Sequence, residues 1–173
     1  LHGDHVRYVG NQTIWRIWNG VRWEQDIIGA ITEKAKAAIR LIRQEAQAEA
    51  DEDAQNRIIK WAHKSQDVSR VRAMLSLART EPSIGVTSNV WNLNPFLLNL
   101  ENGTLDLKEG TLQEHKKTDY ITKLCNVKFD PEATAPRWGE FVAEILQGNE
   151  DLIAYVQRAC GSMLTAVTSD QIL

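Results

Sequence analysis

Cysteine is scarce: Cys125 and Cys160 stand far apart without C-x-x-C spacing, which excludes a cysteine-built zinc cluster and a disulfide framework. Both sit among apolar residues, so both are expected in the core, and a reduced, cytoplasmic setting fits them. Long hydrophobic runs are missing. Nothing approaches the roughly 18–20 apolar residues of a membrane span, and no charged-then-apolar leader opens the sequence, so a soluble chain with no membrane partner is expected. An excess of positive charge is missing as well. Twenty Lys and Arg face twenty-three Asp and Glu, a net charge of −3, so contact with nucleic acid requires a local basic patch. There is no G-x-x-x-x-G-K-[ST] loop to cradle a nucleoside triphosphate, no G-x-S-x-G and no H-E-x-x-H, and no catalytic constellation or bound cofactor is assigned. The nearest approach to a chelating set is His2-Gly3-Asp4-His5. Two imidazoles so close in sequence need a preformed backbone to bind well, and no metal is assigned there.

What is present is enough for a core. The 173 residues are 43% hydrophobic, which suits one globular domain. The stretch Leu97–Leu112 organises the middle of the chain. Its Asn102-Gly103 pair suits a type I′ turn, which places Leu100 opposite Leu105 and Leu98 opposite Leu107 on one buried face. Glu109-Gly110 then returns Thr111–His115 as a third strand, with Leu112 beside Leu107. Earlier, His5–Asp26 is rich in β-formers and reads as a three-stranded meander. A corner at Asn19-Gly20 sets Trp18 against Val21 and Arg16 against Trp23, with a cation-π contact in the second pair. The alternative for this segment is an aromatic platform that stacks nucleic-acid bases beside Arg7, Arg16 and Arg22.

The period then becomes helical. From Ile27 to Ala50, Ile28, Ile31, Ala35, Ala38, Ile39, Ile42 and Ala46 face inward, and Glu33, Lys34, Lys36, Arg40, Arg43 and Glu45 form a solvated face of mixed sign. Asp51-Glu52-Asp53 suits the start of a second helix that carries Ile58, Trp61 and Ala62 inward. Val68, Val71, Met74, Leu75 and Ala78 mark a third, closed by Glu81-Pro82. Arg57, Lys60, Lys64, Arg70, Arg72 and Arg79 are the densest positive cluster. They are candidate phosphate contacts, the alternative being an ordinary solvated face. Tyr120–Leu124 and Val127–Phe129 read as short extended pieces. Pro136 opens a fourth helix, after Thr134 as a candidate cap, with Trp138, Phe141, Val142, Ile145 and Leu146 inward. Gly148 ends it. Asn149 caps a fifth with Leu152, Ile153, Val156, Ala159, Cys160 and Met163 along one stripe, and the two helices are expected to form a hairpin. The expected fold is α+β, with two small antiparallel sheets and about five helices.

The order Trp18-Asn19-Gly20, Trp23, Asp26, a helical stretch, then Leu98–Leu107 resembles the domain that precedes the superfamily 3 helicase motor in phage and plasmid primase-helicases. Poxvirus primase-helicases carry a similar domain. The resemblance continues through Gly110, Leu112, His115, Asp119–Lys123, Phe129-Asp130-Pro131, Pro136-Arg137-Trp138, Phe141, Gly148, Leu152, Gly161, Leu164 and Thr165. It implies a non-catalytic domain over residues 1–165, with 166–173 as linker and first strand of an ATPase domain that would follow. It also implies a replication protein, often with a primase module upstream, that is a ring-forming ATP-dependent DNA helicase using ATP and Mg in its motor. The implied partners are single-stranded or forked DNA, the motor itself and neighbouring subunits. Leu105, Leu107, Trp138 and Phe141 are expected to serve as core.

Overall fold

Alternating β-formers build the first sheet in the computed structural model, which describes residues 3–168. The chain divides into two compact units, Leu1–Asn19 with Trp23–Trp91, and Gly20–Arg22 with Asn92–Leu173. In the first, β1 (Val6–Val9), β2 (Ile14–Trp18) and β3 (Trp23–Gln25) form the expected antiparallel meander. A two-residue strand, β4 (Gly85–Val86), adds to β1 in parallel, so the order is β3-β2-β1-β4. Its brevity left no period to read.

The β2–β3 register differs from expectation. Trp18 pairs with Trp23 and Arg16 with Gln25, because residues 19–22 form a longer connection than a two-residue turn. Trp23 is fully buried, 5.8 Å from the Trp18 ring and 5.7 Å from Trp91. The Arg7 guanidinium lies over Trp23 at 5.0 Å and that of Arg16 over Trp91 at 5.2 Å, rather than Arg16 over Trp23. These rings face other side chains of the same unit, which argues against a platform for bases.

Three helices follow in this unit: α1 (Ala30–Ala48), α2 (Glu52–Ser65) and α3 (Val68–Ala78). The helix α1 starts later than its apolar spacing suggests. The Asp26 carboxylate accepts the backbone N–H groups of Ala30 at 2.8 Å and Ile31 at 2.9 Å, satisfying donors that a helix start leaves open. Ile27 and Ile28 fall in the connecting segment and are exposed. At α2 the acidic start is as expected, with Asp51 accepting from Asp53 and Ala54. The core joins Val6, Trp15 and Ile31 to Tyr8, Ile17 and Leu75, and Ala35, Ile39 and Val71 to Met74 and Leu75. Each fully buried aliphatic or aromatic side chain contributes about 1.5–3 kcal/mol.

In the second unit, β5 (Leu97–Leu100), β6 (Gly103–Asp106) and β7 (Thr111–Gln113) form an antiparallel sheet in that order. Leu98 pairs with Leu105, Leu100 with Gly103, and Leu112 with Leu105. The turn thus falls on Glu101-Asn102 rather than Asn102-Gly103, because Gly103 is needed inside the strand. A Cβ there would lie 2.5 Å from the Gln113 carbonyl oxygen and 2.9 Å from Leu112 Cγ. The Asn102 side chain instead clasps the backbone of Phe129, donating to its carbonyl and accepting its amide, both at 2.9 Å.

The opposite face of β5 is buried and polar. Asn99 Nδ2 donates to the carbonyls of Val21 (3.1 Å) and Lys123 (3.0 Å), while its Oδ1 accepts from Thr104 Oγ1 at 3.0 Å and meets His115 Nδ1 at 2.9 Å. Because Oδ1 is an acceptor, His115 is the donor and its proton sits on Nδ1. Tyr120–Leu124 and Val127–Phe129 are irregular rather than strands, tied to the sheet through Cys125 N–H to the Asn99 carbonyl and Glu101 N–H to the Val127 carbonyl.

The last two helices are α4 (Pro136–Ile145) and α5 (Glu150–Met163). They meet through Gln147 and Gly148, both at positive φ, and Asn149 caps α5 by accepting from Leu152 N–H. Ala135 holds the N-cap position of α4 and makes no side-chain cap bond, so Thr134 does not serve. Trp138 is 50% exposed and Phe141 42%, which corrects their expected place in the core; Val142 is the buried residue of α4, and α5 buries none. Both cysteines are exposed. Helical spacing marks an apolar stripe without saying what covers it. Among the described residues no helix is long and apolar enough to cross a membrane. Residues 169–173 of the expected linker and first strand lie outside the described residues, as does His2.

Candidate nucleic-acid interface

Residues three and four apart on a helix are neighbours, about 5–6 Å between Cβ atoms. Arg57, Lys60 and Lys64 are so spaced on α2 and are all exposed. They form one strip. Arg70 and Arg72 lie two residues apart on α3 and so point to different sides of it. Arg79 follows the end of α3, with its guanidinium 5.0 Å from the Tyr8 ring. The six cations expected to act together are therefore separated into the α2 strip, Arg70 at a groove, Arg72 on another face, and Arg79 against the first sheet.

Charge on the strip is available. Arg57, Lys60, Lys64, Arg70 and Arg72 make no side-chain hydrogen bond or ion pair among the described residues. A strip of uncompensated cations on a rigid helix face suits a row of phosphates, whose binding releases counterions.

Two features were not legible in the sequence as site components. On α1, Lys36, Arg40 and Arg43 recur at helical spacing and, with Gln66, line a depression of about 420 Å³. Glu33 partly offsets them. Its carboxylate accepts from Lys36 Nζ at 2.7 Å and lies 4.0 Å from Arg40. The Lys36 hydrogen bond, with the charges of Lys36 and Arg40, holds the Glu33 carboxyl below its ordinary range. Arg43 has no such partner among the described residues. The i, i+4, i+7 recurrence of cations within a mixed-sign face was the available signal.

The second is Trp61. Expected inward, it is 55% exposed. Ala62, its neighbour in sequence, takes the buried position of α2. Among the described residues there is no group of three or more His, Cys, Asp or Glu side chains placed to hold a metal ion.

The two sheets and five helices make up an α+β fold, and α2 of the first unit carries a strip of three exposed cations. The chain belongs to the D5 N-terminal-like family, whose model matches residues 1–147, a domain found in primase-helicase proteins. No curated protein matches the chain significantly. Membership fits a non-catalytic, replication-associated domain.

Proposed function

We propose that this domain guides DNA in a replication protein, contacting phosphates without sequence preference, and helps assemble the ring of the helicase motor to which such domains are joined. The observation that carries the DNA half is the α2 strip: three exposed cations, Arg57, Lys60 and Lys64, on one helix face with no partner among the described residues. Family membership supports the replication setting. The test is a fluorescence-anisotropy titration of single-stranded, duplex and forked DNA at two salt concentrations. Binding that weakens steeply with salt is expected. In the Arg57→Glu/Lys60→Glu/Lys64→Glu variant, affinity should fall at least about tenfold at low salt and the salt slope should drop by roughly two to three. Unchanged affinity would remove the strip from the interface.

A specific observation supports the assembly half and its alternative, a module that only docks protein. Trp138, Phe141 and Ile145 on α4, and Leu152 and Tyr155 on α5, are at least 42% exposed. Such apolar exposure marks contact surfaces. Glu140, Glu144, Glu150 and Asp151 outnumber Arg137 and Arg158 there. Sedimentation velocity of the chain against Trp138→Ser/Phe141→Ser checks this. Self-association in the parent that is lost in the variant is the expected result, and identical monomeric profiles count against an assembly role for this face.

A further inference from the structure

Trp61, Arg70, Met74 and Leu77 line a groove of about 550 Å³ in the first unit, together with Ile39 and Ile42. Ile39 also borders the depression that holds Lys36, Arg40, Arg43 and Gln66, so an apolar slot and a basic hollow adjoin across one residue. The indole of Trp61 makes no contact with another ring or cation among the described residues. On α2, Arg57 stands one turn before Trp61 and Lys64 nearly one turn after it, which makes both its neighbours on the helix surface. Arg70 completes a cationic border.

A flat aromatic face with aliphatic walls, bordered by cations, fits a ligand that alternates planar rings with negative charge. Single-stranded nucleic acid has that chemistry. A duplex holds its bases inside the stack, and each would have to be turned out at a cost of a few kcal/mol to enter such a slot. We infer that this groove takes an unpaired base of single-stranded DNA, stacked on Trp61, with the adjoining phosphates on the α2 strip and on the Lys36–Arg40–Arg43 hollow. This rests on the DNA reading above and adds the strand form. The Ser65 hydroxyl donates to the Trp61 carbonyl at 2.8 Å, and the remaining charged linings are Arg70 and Glu81. Glu81 repels phosphate at its own end, which directs the backbone toward the basic hollow.

The test uses the whole chain with three labelled probes: oligo-deoxythymidine, an abasic strand of the same length, and a duplex. The parent should prefer oligo-deoxythymidine to the abasic strand. Trp61→Ala should lose roughly 5- to 150-fold on oligo-deoxythymidine and change little on the abasic strand, while Trp61→Phe should keep most of the affinity. Circular dichroism of the variant should match the parent, since Trp61 is 55% exposed. If Trp61→Ala binds oligo-deoxythymidine as the parent does, with salt dependence intact, stacking is wrong and the groove serves another ligand, such as a protein helix; the DNA reading survives. Equal losses on the abasic strand also overturn stacking. If the parent binds none of the probes at low salt, the DNA reading and this inference fall together.

Discussion

Asn99→Ala is expected to lower the free energy of unfolding by about 3–5 kcal/mol. Asn99 is 4% exposed, and its side chain meets the carbonyls of Val21 and Lys123, the Thr104 hydroxyl and the His115 imidazole. Alanine would leave all of those groups without that partner. A buried polar group left unsatisfied costs about 1–3 kcal/mol, and water filling the vacated space recovers part of the sum. Urea denaturation with an unchanged m-value measures the loss. A loss below about 1 kcal/mol would show that water replaces the amide and that the network holds no structure. The bonds converge on strand, loop and turn from distant parts of the sequence, so local protection of residues 115–125 against hydrogen exchange should fall with it.

Gly103→Val should cost about 2–5 kcal/mol, combining overpacking with backbone strain. The residue sits at φ +155°, and an added Cβ would approach the Gln113 carbonyl oxygen to 2.5 Å. Because that atom is backbone, relief requires β7 to move away from β6, and the thermal midpoint should fall accordingly. Gly139→Ala is the contrasting case. Gly139 lies inside α4 with open space where its Cβ would go, so alanine should stabilise by up to about 1 kcal/mol. If both substitutions had the same effect, the loss at 103 would reflect composition and not the close approach of the strands.

Those two glycines show where the sequence could be read and where it could not. The hairpin at Leu97–Leu112 was visible from its alternation, because period 2 marks a strand wherever its partner lies. Its register was not, since Asn102-Gly103 suits a turn and a glycine at a close strand approach looks identical in one dimension. Asn149 was legible as a cap, and Asp51-Glu52-Asp53 as a helix start, because each stands directly at the beginning of a helical period. Asp26 was not, standing four residues before the helix it caps. For the candidate interface, helical period marked Arg57, Lys60, Lys64, Arg70, Arg72 and Arg79 as one exposed cluster, whereas only the first three share a helix face. Trp61 was misplaced because it sits at the margin of the apolar stripe, and only tertiary packing decides whether a marginal position is covered. Trp138 and Phe141 lie within the apolar stripe of α4 and were misplaced because helical spacing does not say what covers a stripe.

Asp26 is held from two sides: its amide donates to the Trp15 carbonyl at 2.9 Å, and its carboxylate holds the first turn of α1. Hydrogen bonds from strand β2 and from the long helix therefore converge on one residue, with Ile27 and Ile28 exposed between them. Mechanically this is a rivet. A displacement of α1 is passed to the sheet through these bonds as well as through Ile31 packed against Trp15 and Val6, so the sheet and the helix respond as a single lever.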